Sequence, residues 1–84
     1  MKNCIITFRS VTPAQRAEDV LRRAGIDCTV KRTPKWMEEK GCGYSLRLTC
    51  RDIMAAAMLL RQAGILFRKA YSLNDSGAPE ELRL

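Results

Sequence analysis

Alternation of apolar and polar residues predicts two half-buried strands. Near the start of the chain, Cys4, Ile6 and Phe8 occupy every second position. Residues 44–50 alternate almost without interruption, from Tyr44 to Cys50. Successive side chains of a strand point to opposite faces, so each segment should bury one face and leave the other solvated. This phase places the aromatic rings of Phe8 and Tyr44 on the buried face.

Two helices follow these strands. Residues 13–24 have apolar positions at helical spacing, with Thr12 as the expected N-cap and Pro13 in the first turn. The second helix is expected from residue 51 or 52 to residue 63. The inward stripes are predicted to be Ala14, Ala17, Leu21 and Ala24 in the first helix, and Ile53, Ala56, Ala57, Leu60 and Ala63 in the second.

A weak internal repeat relates the two halves of the chain. The segment LRRAGI at residues 21–26 returns as LRQAGI at residues 60–65, a spacing of 39. In each copy a glycine, Gly25 or Gly64, is suited to end the helix in the left-handed conformation. A further strand is expected after each helix, at residues 28–31 and 66–72.

The resulting order, β-α-β-β-α-β, predicts an α+β fold of the ferredoxin-like type. Such a two-layer sandwich has an antiparallel four-stranded sheet in the order 4-1-3-2, with both helices on one face. Residues 1–73 are expected to form this single domain. Residues 74–84, with Gly77, Pro79 and an acidic pair, are expected to be a mobile tail or a short helix.

The composition of the chain excludes several kinds of catalytic and metal site. The chain has 84 residues and no histidine, which excludes histidine metal sites and catalysis by Ser-His-Asp or Cys-His groups. We expect no metal and no cofactor. Neither a membrane span nor a signal peptide is apparent, so we expect a cytoplasmic protein with reduced thiols. Fourteen of the 15 Lys and Arg residues lie in residues 1–73, which makes the body of the protein basic.

Topology divides the four cysteines into two groups. Cys4, Cys28 and Cys50 fall at one end of the predicted sheet and point inward, where cysteine usually serves as a small core residue. A Cys4–Cys50 or Cys28–Cys50 contact stays open, but a functional disulfide is not expected.

Cys42 stands apart, between Gly41 and Gly43 and ahead of the third strand. The flanking glycines leave its sulfur uncrowded, and the start of the first helix should lie at the same end of the sheet. Positive charge near a thiol lowers its pKa and stabilises a thiolate or persulfide. The groups expected to help are Ser10, Thr12, Lys31, Arg32, Lys35 and Lys40.

These motifs resemble a known family. The relevant segments are the strand at residues 5–8 with Ser10, the helix ending in Ala24-Gly25-Ile26, Thr33-Pro34, and Cys42-Gly43 before an alternating strand. Together they resemble the sulfur/selenium carrier-like family of short bacterial proteins, over about residues 4–72. The resemblance implies that Cys42 carries sulfur or selenium as a persulfide-type adduct between a donor and an acceptor protein. Gly41 stands where members often have serine.

No general base is evident, so we expect a carrier or accessory protein rather than a complete enzyme. The alternative is a non-catalytic binding or regulatory module. One candidate surface is the open face of the sheet, expected to expose Thr7, Arg9, Thr29, Ser45, Arg47 and Thr49. Another is a second apolar stripe on the second helix, suited to a partner or to self-association, formed by Met54, Ala55, Met58 and Leu59. Trp36 is either a docking anchor or a cover for the sheet edge. RNA binding is not favoured, because Phe8 and Tyr44 lie on the buried phase.

Overall fold

The computed structural model describes residues 3–32, 43–73 and 79–83. Its elements, in chain order, are β1 (Asn3–Phe8), α1 (Val11–Arg23), β2 (Cys28–Arg32), β3 (Tyr44–Thr49), a 3-10 turn (Cys50–Asp52), α2 (Ile53–Gln62), β4 (Ala70–Leu73) and β5 (Pro79–Leu82). The α+β class predicted from the sequence is confirmed. Trp36, Lys35, Lys40 and the other residues of 33–42 lie outside the described residues.

The sheet has five antiparallel strands in the order β2-β3-β1-β4-β5. Its first four strands follow the expected order, but the prediction of a four-stranded sheet is wrong. The additional strand, β5, lies in the segment expected to be a mobile tail or a short helix. Leu82 packs against the core, and Glu81 forms an ion pair with Lys69 at 3.3 Å. Pairing with β4 therefore makes this segment a strand, although its short local pattern did not predict one. The ferredoxin-like assignment stays a prediction.

One face of the sheet and both helices enclose a single core. On the strands, the cluster takes the alternate positions that the pattern predicted, including Cys4, Ile6 and Phe8. The helices contribute Ala14, Ala17 and Leu21 from α1, and Ile53, Ala56 and Leu60 from α2. Phe8 is 1% exposed, and Tyr44 is half-buried against this core, so their predicted placement is confirmed.

The helix α1 begins earlier than predicted. Ser10, with extended backbone angles, is the N-cap, and Thr12 lies inside the first turn instead. Pro13 is tolerated at the third helical position because amides of the first turn have no intrahelical partner. Ala24 is exposed rather than inward, since it caps the helix after Arg23.

The repeat at residues 21–26 and 60–65 is a helix-ending motif used twice. In the first copy, the Ile26 amide donates to the Leu21 carbonyl at 2.9 Å, and the Gly25 amide donates to that of Arg22 at 3.0 Å. In the second copy, Ile65 donates to Leu60 at 2.9 Å and Gly64 to Arg61 at 3.1 Å. Both glycines have positive φ, 84° and 72°. Each is a Schellman motif, in which the isoleucine after the glycine packs back on the last helical leucine.

The segment around α2 differs from the prediction at both ends. Cys50–Asp52 forms a 3-10 turn, so the α-helix begins at Ile53, and Ala63 is exposed where an inward position was expected. The strand β4 begins at Ala70 rather than residue 66. Before it, Arg68 and Lys69 together oppose one residue of β1, which is the arrangement of a β-bulge.

The face of the sheet away from the helices is less open than expected. Thr7 and Ser45 are 8% and 3% exposed, whereas Arg9, Thr29 and Arg47 are exposed as predicted and Thr49 is intermediate. Both buried hydroxyls bond to neighbouring backbone. Ser45 donates to the Lys31 carbonyl at 3.2 Å, and Thr7 donates to the Lys69 carbonyl at 3.2 Å while accepting from the Lys69 amide at 3.1 Å. These small side chains therefore reinforce the sheet instead of forming a solvated surface.

Candidate functional site

Three strands end together at one end of the sheet, which we call the basic end and define by Arg9, Ser10, Arg32 and Gly43. Tyr44, the first residue of β3, pairs with Phe8 on one side and with Arg32 on the other. Gly43 directly precedes Tyr44 and is buried, and Arg9 directly follows Phe8 and is exposed. Pairing of β1, β2 and β3 therefore places Arg9, Arg32 and Gly43 at the same end of three adjacent strands.

The N-terminus of α1 opens at the basic end. Ser10 makes no side-chain capping bond, and the first turn contains no acidic residue. Pro13 has no amide hydrogen, so the unpaired helical donors are the amides of Val11 and Thr12. These amides give the helix start a partial positive charge with no carboxylate from its own first turn.

The predicted supporting residues are distributed as follows. Lys31 and Arg32 are consecutive in β2 and therefore point to opposite faces of the sheet. They do not form a single cluster, although both are exposed near the basic end. Ser10 and Thr12 are exposed at the start of α1. The central residues of the prediction, Cys42, Gly41 and Pro34, lie outside the described residues.

The opposite end of the sheet, the cysteine end, holds Cys4, Cys28 and Cys50 as predicted. Cys4 and Cys28 both pair with Leu48, from opposite sides of β3. Cys50 lies two residues beyond Leu48 and is therefore a diagonal neighbour of Cys4 on the same face. The separation from Gly43 is the length of β3, six residues or roughly 20 Å.

Cys4 and Cys50 form a disulfide, with a Cα–Cα distance of 4.9 Å. The prediction that these two thiols stay reduced is therefore wrong. The prediction rested on the expected compartment, and it did not use the distance between these two Cα atoms, which lies in the usual disulfide range. Diagonal placement on one face was the sequence signal for the contact.

Cys28 is a free thiol, but its surroundings suppress ionisation. It is 5% exposed, and its Sγ lies 3.8 Å from the Glu18 carbonyl oxygen. Burial raises the pKa of Cys28, and the nearby Glu18 carboxylate raises it further, against the opposing effect of Arg22. A thiol held in its neutral form is a poor nucleophile.

The same contacts attach α1 to β2. The Glu18 carboxylate accepts a hydrogen bond from the Val30 amide at 3.1 Å, and Arg22 donates to the Cys28 carbonyl at 2.9 Å. Glu18 and Arg22 are themselves 3.6 Å apart. Cys28 therefore lies within a structural network, in agreement with its predicted place in the core.

A groove that the sequence did not predict lies beside the basic end. It has a volume of about 550 Å³ and runs between the β1–α1 turn and the α2–β4 connection. Its lining residues are Arg9, Ser10, Pro13, Arg16, Gly64, Ile65, Leu66, Phe67 and Arg68. The sequence did not predict this groove because residues 66–69, three of which line it, were expected to belong to a strand. Arg9 and Arg68 are far apart in sequence, and only β1–β4 pairing makes them neighbours.

No group of three metal-ligating side chains occurs within the described ranges. No described helix has the length and apolar character needed to cross a bilayer.

Comparison with known proteins adds one positive finding. Neither the curated proteins nor the solved structures contain a significant match to this chain. The model of one protein family, described as "Putative Se/S carrier protein-like", matches residues 3–72. That match spans β1 to β4, including both helix-ending motifs and the Cys42-Gly43 pair. The chain therefore belongs to the Se/S carrier protein-like family.

Proposed function

We propose that this protein carries sulfur or selenium as an adduct on Cys42. The observation that carries the proposal is the state of the other three cysteines. Cys4 and Cys50 are joined in a disulfide, and Cys28 is buried with a raised pKa. A carrier needs an accessible thiolate, and only Cys42 is left for that role.

The position of Cys42 in the chain supports this assignment. It precedes Tyr44, the first residue of β3, by two residues in the sequence. Tyr44 pairs with Phe8, and Phe8 is followed by Arg9 and the start of α1. Positive charge from Arg9 and Arg32 and the unpaired amides of α1 favours a thiolate in this neighbourhood.

The transfer step is a thiol exchange. The Cys42 thiolate attacks the outer sulfur of a donor persulfide, a new S–S bond forms, and the donor leaves as its thiolate. The adduct is then a persulfide on Cys42, and attack by an acceptor thiolate on its outer sulfur reverses the same step. No external oxidant or reductant is required, and the acid–base demand is met by ionised thiols. A selenium adduct follows the same exchange.

Intact mass spectrometry tests the proposal. We expect wild-type protein treated with a low-molecular-weight persulfide to gain the mass of one sulfur atom, and Cys42→Ser to gain none. Cys28→Ser is the matched control, because it also removes one free thiol and should load like the wild type. Equal loading of Cys42→Ser and wild type would remove the proposal.

A binding module is the second candidate, favoured by the outer face of α2. Met54 and Met58 are 67% and 61% exposed, one helical turn apart, with exposed Ala55 beside them. Exposed arginines flank this pair in the sequence, Arg51 in the preceding 3-10 turn and Arg61 in the last turn of α2. An antiparallel pair of copies would bring Arg51 near Arg61, so the charges fit an acidic partner better than self-association.

Sedimentation velocity at low salt distinguishes an acidic partner from self-association at this face of α2. We expect a monomer, because like charges repel across a self-contact in weakly screened solution. A dimer at low salt that is lost in Met58→Glu would instead support the self-association predicted from Met54, Met58 and Leu59. Either result is independent of persulfide loading, so the two candidate functions are tested separately.

A further inference from the structure

The groove beside the basic end has the size and lining of a small-molecule site. Its volume of about 550 Å³ falls within the roughly 300 to 1,000 Å³ typical of such sites. One wall is the β1–α1 turn with the first turns of α1, and the other is the connection from α2 to β4. Two separate parts of the chain thus converge on one concave surface.

The charge of the lining selects anions. Arg9, Arg16 and Arg68 line the groove, and no carboxylate occurs among the described residues that line it. Within the described ranges, the ion pairs of arginine involve residues other than these three. Guanidinium groups bind tetrahedral oxyanions with paired, charge-assisted hydrogen bonds, which suits phosphate and sulfonate groups.

Much of the remaining lining is apolar, so an anion alone would leave these side chains exposed. Leu66, which lines the groove, is 87% exposed. Phe67 is half-buried beside it, with the Arg61 guanidinium 5.9 Å from its ring centre. Pro13 and Ile65 complete this apolar part. A ligand that covers these side chains must carry an apolar or aromatic body.

Both walls are held in place by hydrogen bonds. The Thr7 amide donates to the Lys69 carbonyl and the Arg68 amide donates to the Thr7 carbonyl, both at 2.8 Å, which fixes the bulge at Arg68. The Schellman motif fixes Gly64 and Ile65 at the end of α2. A preformed groove avoids part of the ordering cost of binding.

We propose that this groove binds a small ligand made of an aromatic or apolar body and one phosphate or sulfonate group, with Arg9, Arg16 and Arg68 holding the oxyanion. The inference goes beyond the carrier function and does not depend on Cys42.

Four probes, titrated by calorimetry and by amide NMR shifts at low salt, test the ligand chemistry. Phenyl phosphate and benzenesulfonate combine the body and the anion, and their relative affinity identifies the preferred oxyanion. Phenol lacks the anion, and inorganic phosphate lacks the body. We expect each of the last two to bind at least about 10-fold more weakly than the better of the first two. Equal affinity of phenol or of inorganic phosphate would overturn the proposal.

Variants test the location. Arg9→Gln and Arg68→Gln should each weaken binding of the better probe by about 10-fold, the usual effect of losing a charge-assisted hydrogen bond. Arg23→Gln is the control, since it removes the same charge from an exposed arginine at the far end of α1. An equal loss in Arg23→Gln, or shifts outside the groove, would show non-specific attraction to a basic protein and overturn the proposal.

Binding measured on Cys42→Ser keeps the two proposals distinguishable. We expect the better probe to bind this variant as it binds the wild type. Loss of persulfide loading with retained binding would support both proposals, and binding without any loading of the wild type would refute only the carrier function. A loss of binding in Cys42→Ser would contradict the independence of the groove from Cys42.

Discussion

The two ends of the sheet have opposite chemistry, although the same strands build both. At the cysteine end, Cys4 and Cys50 are covalently joined, and Cys28 is buried against α1. At the basic end, Arg9, Ser10 and Arg32 are exposed, and α1 begins without a side-chain cap. Sulfur at the first end contributes to stability, while the second end has the charge that an anionic ligand or adduct needs.

The C-terminal ends of the two helices also differ in what they contribute. Both end in the same Schellman motif, but they run in opposite senses across the sheet. Gly25 therefore lies near the cysteine end, where α1 leads into β2, whereas Gly64 lines the groove. One repeated sequence thus serves as a connection at one end and as part of a concave surface at the other.

Reduction of the disulfide should have the largest effect on stability. It closes a loop with a sequence separation of 46, for which the chain-entropy relation gives about 4 kcal/mol. We expect a reductant to lower the free energy of unfolding in urea by about 3 to 4 kcal/mol. The double variant Cys4→Ala/Cys50→Ala should show no response to reductant. An unchanged urea midpoint for the wild type after complete reduction would contradict a stabilising role for this end.

The next largest expected effect is a difference in thiol reactivity between Cys42 and Cys28. With iodoacetamide near neutral pH, we expect Cys42 to be alkylated at least about 100-fold faster than Cys28, because thiolate fraction and access both favour it. Peptide mapping after timed quenching measures both rates in one sample. A Cys42 rate no higher than that of an unstructured thiol would favour the binding-module candidate instead.

Glycine substitutions should show whether the two helix-ending motifs are equivalent. Within the described ranges, no atom beyond the adjoining residues lies within 4 Å of a Cβ placed on either glycine, so positive φ is the reason that Gly25→Ala and Gly64→Ala are unfavourable. We expect each to lower the free energy of unfolding by about 1 kcal/mol. Thermal and urea unfolding measure both, and a clear inequality between them would show that one copy has a further role.

The smallest predicted effect is an alkaline dependence of stability at Cys28. Its folded pKa is raised, so the unfolded chain loses this proton first as the pH rises. The contribution of Cys28 is therefore complete below the ordinary pKa of cysteine and is lost as the pH rises through the folded value. Urea unfolding of wild type and Cys28→Ala between neutral and alkaline pH should differ in slope, and equal slopes would exclude this coupling.

The sequence by itself determined both helices, four of the five described strands, and the place of Cys4, Cys28 and Cys50 at one end of the sheet. Alternation fixed which residues of β1 and β3 face the core, because a strand has a strict period of two. The repeated glycines fixed both helix ends, because few residues adopt positive φ without strain. The start of α1 was less well defined, since Ser10 and Thr12 are both residue types that cap helices.

Only the tertiary structure decided the features that depend on distance between remote segments. The Cys4–Cys50 bond, the burial of Thr7 and Ser45, and the pairing of β5 all require strand register. The groove requires it as well, since Arg9 and Arg68 become neighbours through β1–β4 pairing. The local pattern of apolar residues shows the period of each helix or strand. Strand register and long-range contacts depend on how the whole chain packs, so no single segment determines them.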